Sequence, residues 1–304
     1  MPGSSFAAVF PPMATAFDDK GRVDVDAIGR NVERWARTGL GGIVALGSNG
    51  EAPLLDEEES DRVIAAARQA LPRNRLLIAG TGRESTPAAI AASVRAAALG
   101  ADAVLVRTPS YYKSRMTPDV FIRHYSAVAD ASPVPVLLYN YPAVTGVNLS
   151  PSTVARLADH PNIAGIKETG SDTAQLAAYV DESPDSFSVI AGSMPTFYAS
   201  LCVGAVGGIL ALACVLPDLC VQLFEHARAG RYADARALQR AATPLARLVT
   251  TGFGVPGLKA AMGLAGYETG DPRPPLVAAP PEAIEQIRAE LARFSGVKSS
   301  TPTR

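Results

Sequence analysis

Residues 163–170 read Ile163-Ala164-Gly165-Ile166-Lys167-Glu168-Thr169-Gly170. The run Ile163–Ile166 has the look of a buried β-strand, yet a lysine follows it directly. A buried ammonium is costly unless it is paired or gives up its proton. Lys167 is therefore either a strand-end side chain that reaches a partner or solvent, or an amine kept neutral for chemistry. The remaining strands of the chain bear on which.

Short apolar, β-rich runs recur at Ala7–Met13, Gly42–Leu46, Leu76–Ala79, Ala103–Val106, Val134–Tyr139, Ile163–Ile166, Ser188–Ala191 and Val206–Leu210. Helix-like segments separate them. Val25–Thr38 is amphipathic, Glu57–Ala70 follows the N-cap candidate Asp56, and Thr86–Leu99 lies between Ser85 and the stop signal Gly100. Pro118–Ala131 follows Thr117, and another helix starts at Ser150-Pro151 and runs toward His160. Strand–helix alternation of this kind implies a parallel sheet, and eight units favour a closed (β/α)8 TIM barrel over an open doubly wound sheet. From residue 217 the pattern is helical only: Pro217–Ala229, Tyr232–Thr250, Gly257–Leu264 and Pro281–Phe294, with a proline-rich connection at 271–281. The expected organisation is an α/β barrel carrying the active site over 1–215, a C-terminal helical extension over 216–296, and a disordered tail over 297–304.

Composition narrows the function classes. The formal net charge of -1 gives no reason to expect nucleic acid or an anionic membrane as partner. No window approaches the ~20 uninterrupted apolar residues of a membrane span, and MPGSSFAAVF lacks the features of a signal peptide. Cys202, Cys214 and Cys220 sit in apolar surroundings without metal-ligand spacing. They read as core thiols in a reducing compartment, with the cytoplasm as the expected location.

In a barrel the active site lies at the C-terminal ends of the strands. Those ends supply Gly47-Ser48-Asn49-Gly50-Glu51, Thr108-Pro109-Ser110-Tyr111-Tyr112, Tyr139 through Gly146, Lys167-Glu168-Thr169-Gly170, Gly192-Ser193 and Gly207-Gly208-Ile209. The set holds an amine, phenols, hydroxyls and glycine-exposed backbone amides. His124, His160 and His226 all fall on helices or helix ends, so Ser-His-Asp catalysis has no obvious base. Glu51 and Glu168 are too few for a metal site. Neither phosphate-binding glycine motif occurs. No cofactor is expected.

Amine chemistry remains. A neutral lysine condenses with a ketone, and the iminium draws electrons from the adjacent carbon–carbon bond. An unperturbed lysine is only about 0.04% neutral at pH 7, and lowering its pKa by ~3 units raises that to roughly 30%. Of the five lysines, only Lys167 ends a strand-like run. Tyr139, at the adjacent strand end, can shuttle the proton. Ser48, Asn49 and the amides of their turn can hold a carboxylate.

These motifs, in this order and spacing, are similar to those of the N-acetylneuraminate lyase / dihydrodipicolinate synthase superfamily of class I aldolases. The GSNGE turn, the TPSYY loop, YNYPAVTG, GIKETGSD, AGS and GAVGGILA carry the resemblance over about residues 7–294. It implies a (β/α)8 barrel with a helical extension, a small 2-oxo acid substrate and a homotetramer built as a dimer of dimers. By position, Lys167 resembles the Schiff-base lysine and Tyr139 the acid/base tyrosine. Ser48 resembles the relay hydroxyl, and Ser48 with Asn49 the residues that hold the 2-oxo-acid carboxylate. Tyr111 matches a relay tyrosine inserted into a neighbouring subunit's site, with Tyr112 as the alternative. Thr169, Gly192 and Ile209 line the pocket by the same analogy.

Within the superfamily, dihydrodipicolinate synthases usually carry an arginine where this chain has Val144, and a neutral valine cannot bind the second substrate's carboxylate. N-acetylneuraminate lyases usually have a hydroxyl residue in place of Asn49. GSNGE, YYKSRM, PAVTG and FGVPGLK are most like 4-hydroxy-2-oxoglutarate aldolases, which release pyruvate and glyoxylate. A 2-keto-3-deoxy sugar-acid aldolase and a synthase or dehydratase are the alternatives within the enzyme class. A catalytically silent barrel that only binds a 2-oxo acid is the alternative outside it, and the intact Lys167, Tyr139 and Ser48 argue against that.

Overall fold

Five helices begin where a short polar side chain accepts from the free N–H groups of the first turn. Asp24 caps α1 (Val25–Ala36), Asp56 caps α2 (Glu57–Ala70), and Ser85 caps α3 (Thr86–Ala98). Ser150 and Asp172 do the same for Pro151–Ala158 and Thr173–Glu182. Asp56 forms a reciprocal capping box: it accepts from Glu59 N at 2.8 Å, and Glu59 Oε2 accepts from Asp56 N at 3.1 Å. Thr117 precedes α4 (Pro118–Ala131) without a capping bond, so Pro118 at the first helical position sets that start.

The computed structural model describes residues 6–294. Its eight strands are β1 (Val9–Phe10), β2 (Gly42–Ala45), β3 (Leu76–Gly80), β4 (Ala103–Arg107), β5 (Val136–Asn140), β6 (Ile163–Glu168), β7 (Ser188–Ala191) and β8 (Gly207–Ile209). A one-turn helix α5 (Pro142–Thr145) and then α6 (Pro151–Ala158) follow β5; α7 (Thr173–Glu182) follows β6, and α8 (Phe197–Cys202) follows β7. All paired strands are parallel, in the order β1-β8-β7-β6-β5-β4-β3-β2. The ring closes just beyond β1, where Pro12 bridges Val44 and Met13 N donates to Val44 O at 2.9 Å. The chain therefore forms the expected (β/α)8 barrel. β1 is shorter than the expected Ala7–Met13 because Pro11 and Pro12 have no N–H to give a ladder.

Side chains alternate between two apolar clusters. Phe10, Val44, Ile78, Leu105, Leu137, Tyr139, Ile190 and Ile209 fill the barrel interior. Val9, Ile43, Leu77, Val104, Leu138, Ile166 and Val189 face the helices. Strand β6 breaks the alternation. Val136 pairs with Ile163 while Leu137 pairs with Gly165, so Ala164 is an extra residue. Ile163 and Ile166 consequently both face outward. This bulge resets the phase and turns Lys167 into the barrel, where an uninterrupted strand would have pointed it out. Gly165 permits the bend: a Cβ there would meet Ser188 O at 2.3 Å.

The helical C-terminal end comprises α9 (Pro217–Arg228), α10 (Tyr232–Arg247), α11 (Gly254–Leu264) and α12 (Pro281–Ala292). Leu223, Phe224, Leu245, Leu258, Met262 and Ile287 join the same outer cluster as the barrel helices, so the core is continuous. The expected helix to Thr250 instead passes into a π-helical turn at Leu248–Gly252, a few residues after Pro244 has removed a helix N–H. Cys214 and Cys220 are buried as expected, but Cys202 is exposed. It ends the short α8, whose buried positions are Phe197 and Ser200, and so falls on the solvent side. Among the described residues no helix is long and apolar enough to cross a membrane. The expected tail at 297–304 lies outside the described residues.

Candidate active site

The turn after β2 is the most constrained backbone at this end of the barrel. Gly47-Ser48-Asn49-Gly50 forms a short 3-10 turn between two left-handed residues, Leu46 and Glu51, both at φ 56°. Left-handed backbone is unfavourable for residues with a Cβ, so it needs support. Leu46 is seated on Gly80, where a Cβ would lie 1.9 Å from Leu46 O. Thr15 Oγ1 donates to Gly50 O at 2.6 Å. Glu51 is buried and paired with Lys259 Nζ of α11 at 2.7 Å, and its Oε2 accepts from Arg273 N at 2.7 Å. Lys259 of α11 and the backbone of Arg273, in the connection between α11 and α12, thus hold the turn that presents Ser48 and Asn49. Neither Ser48 N nor Asn49 N donates to a backbone acceptor among the described residues.

Lys167 stands opposite Tyr139 in the β5–β6 register. It is only 4% exposed, and among the described residues no carboxylate pairs with it. Its Nζ lies over the Tyr139 ring, 4.1 Å from the centroid. Desolvation pulls the Lys167 amine down to about 7. At neutral pH about half of it is therefore uncharged. Tyr139 Oη lies 3.2 Å from Ser48 Oγ. Burial pushes the Tyr139 phenol up to about 12, with the Ser48 hydroxyl opposing the shift.

Several expected residues converge here. Ser48, Tyr139 and Lys167 connect directly, and Asn49 is in the same turn as Ser48. Thr169 Oγ1 is buried without a partner among the described residues. Gly192 is needed beside it, because a Cβ at Gly192 would come within 2.0 Å of that oxygen. Ile209 is fully buried at the end of β8. Tyr111 does not join them within one chain. It is 78% exposed, edge-to-face with the exposed Tyr112, on a loop fixed by Ser110 N and Tyr111 N donating to Glu84 Oε2, both at 2.9 Å. The histidines lie elsewhere: His124 bonds Thr86, His160 bonds Asp130, and Arg231 donates to His226.

Glu168 faces away from Lys167. It accepts from Asn140 Nδ2 at 2.7 Å and from Gly170 N, outside the barrel wall. Two features were not anticipated from the sequence. One is the Glu51–Lys259 pair, which joins residues more than two hundred positions apart and leaves no local signal. The other is Arg107, the last residue of β4, which lines the same cavity as Ser48 and Tyr139. Its parity with the inward-facing Leu105 was the available clue.

A parallel barrel with its polar groups gathered at the C-terminal strand ends has the architecture of a (β/α)8 enzyme. The particular family is given by the chain's sequence: residues 5–293 match the Dihydrodipicolinate synthetase family, and the chain belongs to it. It is thus an enzyme of the class I aldolase and lyase group. It is similar to a 4-hydroxy-tetrahydrodipicolinate synthase of Exiguobacterium sp., 33% identical over 96% of this chain and 99% of that relative. It is also similar to a probable mitochondrial 4-hydroxy-2-oxoglutarate aldolase of Emericella nidulans, 38% identical over 92% of each. Among solved structures, a prophage protein of E. coli K12 from the dihydrodipicolinic acid synthase family, in complex with pyruvate, superposes with a TM-score of 0.90. The two are 29% identical over 96% of this chain and 99% of the other.

Proposed function

We propose that the chain is a Schiff-base aldolase that cleaves a 4-hydroxy-2-oxo acid to pyruvate and an aldehyde. The observation that carries this is Lys167: a buried amine without a counter-charge, set against a Tyr139–Ser48 hydroxyl pair. Neutral Lys167 attacks the C2 ketone; the Tyr139–Ser48 relay gives up a proton so that the C2 hydroxyl leaves as water, and an iminium remains. The C3–C4 bond then breaks, its electron pair moving into the iminium to form an enamine, while the C4 hydroxyl proton passes to the Tyr139–Ser48 relay. The enamine takes a proton at C3, and water releases pyruvate and restores the amine. Tyr139 stays protonated at neutral pH, which suits it to give a proton and to take one back only within a relay. Ser48 and Asn49, with the open amides of their turn, hold the 2-oxo-acid carboxylate. Thr169, Gly192 and Ile209 line the pocket. Tyr111 extends the relay from a neighbouring subunit of a cytoplasmic homotetramer.

The substrate proposed is 4-hydroxy-2-oxoglutarate, with glyoxylate as the aldehyde. The Emericella relative supports this, and so does the neutral, exposed Val144 on α5. The Exiguobacterium relative keeps a synthase reading in play. Pyruvate release, coupled to lactate dehydrogenase, tests the choice. A clear preference for 4-hydroxy-2-oxoglutarate over 2-keto-3-deoxy sugar acids is expected; preference for a sugar acid, or no release from any of them, would reject it.

A further inference from the structure

We infer that Arg107 is the specificity-determining residue for the second half of the substrate and that it selects an aldehyde bearing a carboxylate. This rests on the aldolase reading above and adds to it a recognition element. Arg107 closes β4 in register with Tyr139, on the inward parity of Leu105. It lines one cavity with Ser48 and Tyr139, and it is the charged residue among the groups lining that cavity, which otherwise include Leu46, Ala52, Pro53 and Leu105. The place is built for it. Its stem crosses Gly82, where a Cβ would fall 2.5 Å from Arg107 Cγ.

The guanidinium is fixed at one corner and open at the others. Nη1 donates to Glu84 Oε1 at 2.6 Å and to Thr108 O at 3.4 Å. Among the described residues, Nε and Nη2 donate to no protein acceptor. Glu84 in turn spreads its charge over Arg107, Ser110 N and Tyr111 N. A planar fork with Nε and Nη2 unpaired among the described residues, on a residue that lines the cavity, matches a carboxylate. The pyruvyl carboxylate is already accommodated at the Ser48–Asn49 turn, so Arg107 is left for an anion on the far side of the scissile bond. Glyoxylate carries such an anion; the neutral polyol aldehydes released from sugar acids do not.

The test compares 4-hydroxy-2-oxoglutarate with 4-hydroxy-2-oxopentanoate, in which a methyl group replaces the distal carboxylate. Native enzyme is expected to prefer the dicarboxylate. Arg107→Met should lower kcat/KM for it by about 10–100-fold, mainly through KM, and erase the preference. Arg107→Lys should restore part of it. Equal losses on both substrates, or a preference that survives Arg107→Met, would overturn the inference. So would an Arg107→Met enzyme that no longer forms a borohydride-reducible adduct with pyruvate, since that places Arg107 on the pyruvyl carboxylate. Trapping of pyruvate by the native enzyme separates failure of this inference from failure of the aldolase reading.

Discussion

The lowered pKa of Lys167 comes from its burial rather than from any special bond. Burial pulls its pKa from 10.5 to about 7, and the Tyr139 ring beneath it supplies no formal charge. Two predictions follow from that value. The rate of imine formation with pyruvate should rise about tenfold per pH unit below 7 and level off above it; a profile still climbing at pH 9 would contradict the shift. The same burial costs stability. Between pH 7 and 10.5 the unfolded chain holds a proton that the folded chain has released, so this group's contribution to stability rises with pH across that window. Below pH 7 the cost is complete. Lys167→Met should therefore stabilise the fold by on the order of a few kcal/mol at pH 6, and by progressively less toward pH 10. Urea titrations at both pH values check this, and a gain independent of pH would refute it. Tyr139→Phe should slow turnover by about 10²–10⁴ while leaving the fold intact by circular dichroism. That Lys167 and Tyr139 lie side by side at neighbouring strand ends was legible in the sequence, because an amine and a phenol end adjacent apolar runs; that Lys167 faces inward was not. Arg107 was passed over although its parity with Leu105 places it inward, because it lies one residue beyond the apolar run that marked β4.

Elements place these residues, and here the sequence was informative about some features and silent about others. Helix starts were readable because capping is local: Asp56, Ser85 and Ser150 all accept from their own first turns. The bulge at Ala164 was not readable, since it is a matter of register between β5 and β6. Without it Lys167 would face the helices. The support of the turn after β2 was equally hidden. Glu51 and Lys259 have almost no side-chain exposure (0% and 2%), and burial pulls the Lys259 amine downward against the attraction of Glu51. Removing one partner strands a buried charge. Lys259→Met should cost about 3–5 kcal/mol, and the double variant Glu51→Gln/Lys259→Met should recover a substantial part of it. A double-mutant cycle by denaturant unfolding measures the coupling; strictly additive losses would show that the pair does not hold the turn.

For the whole molecule, eight strand–helix units predicted the closed ring, and the all-helical run after residue 217 predicted the extension. How that extension serves the site appears only in three dimensions, through Lys259 and Arg273 reaching back to Glu51. The loop of Tyr111 and Tyr112 is tied to Glu84 by two backbone hydrogen bonds, yet it presents two aromatic rings outward. If Tyr111 serves a neighbouring subunit, Lys167→Ala and Tyr111→Phe chains should complement each other. Each is expected to be impaired alone, and co-refolded mixtures should regain roughly a quarter of native activity through hybrid pairs with one intact site. No gain on mixing would confine Tyr111 to its own chain.

The proposed reaction stands or falls on Lys167 as the nucleophile. Reduction with borohydride in the presence of pyruvate, followed by peptide mass analysis, tests it most directly. Pyruvate's carbon skeleton is expected on the peptide containing Lys167 and on no other lysine peptide. An unmodified Lys167, or an adduct on another lysine, would contradict it.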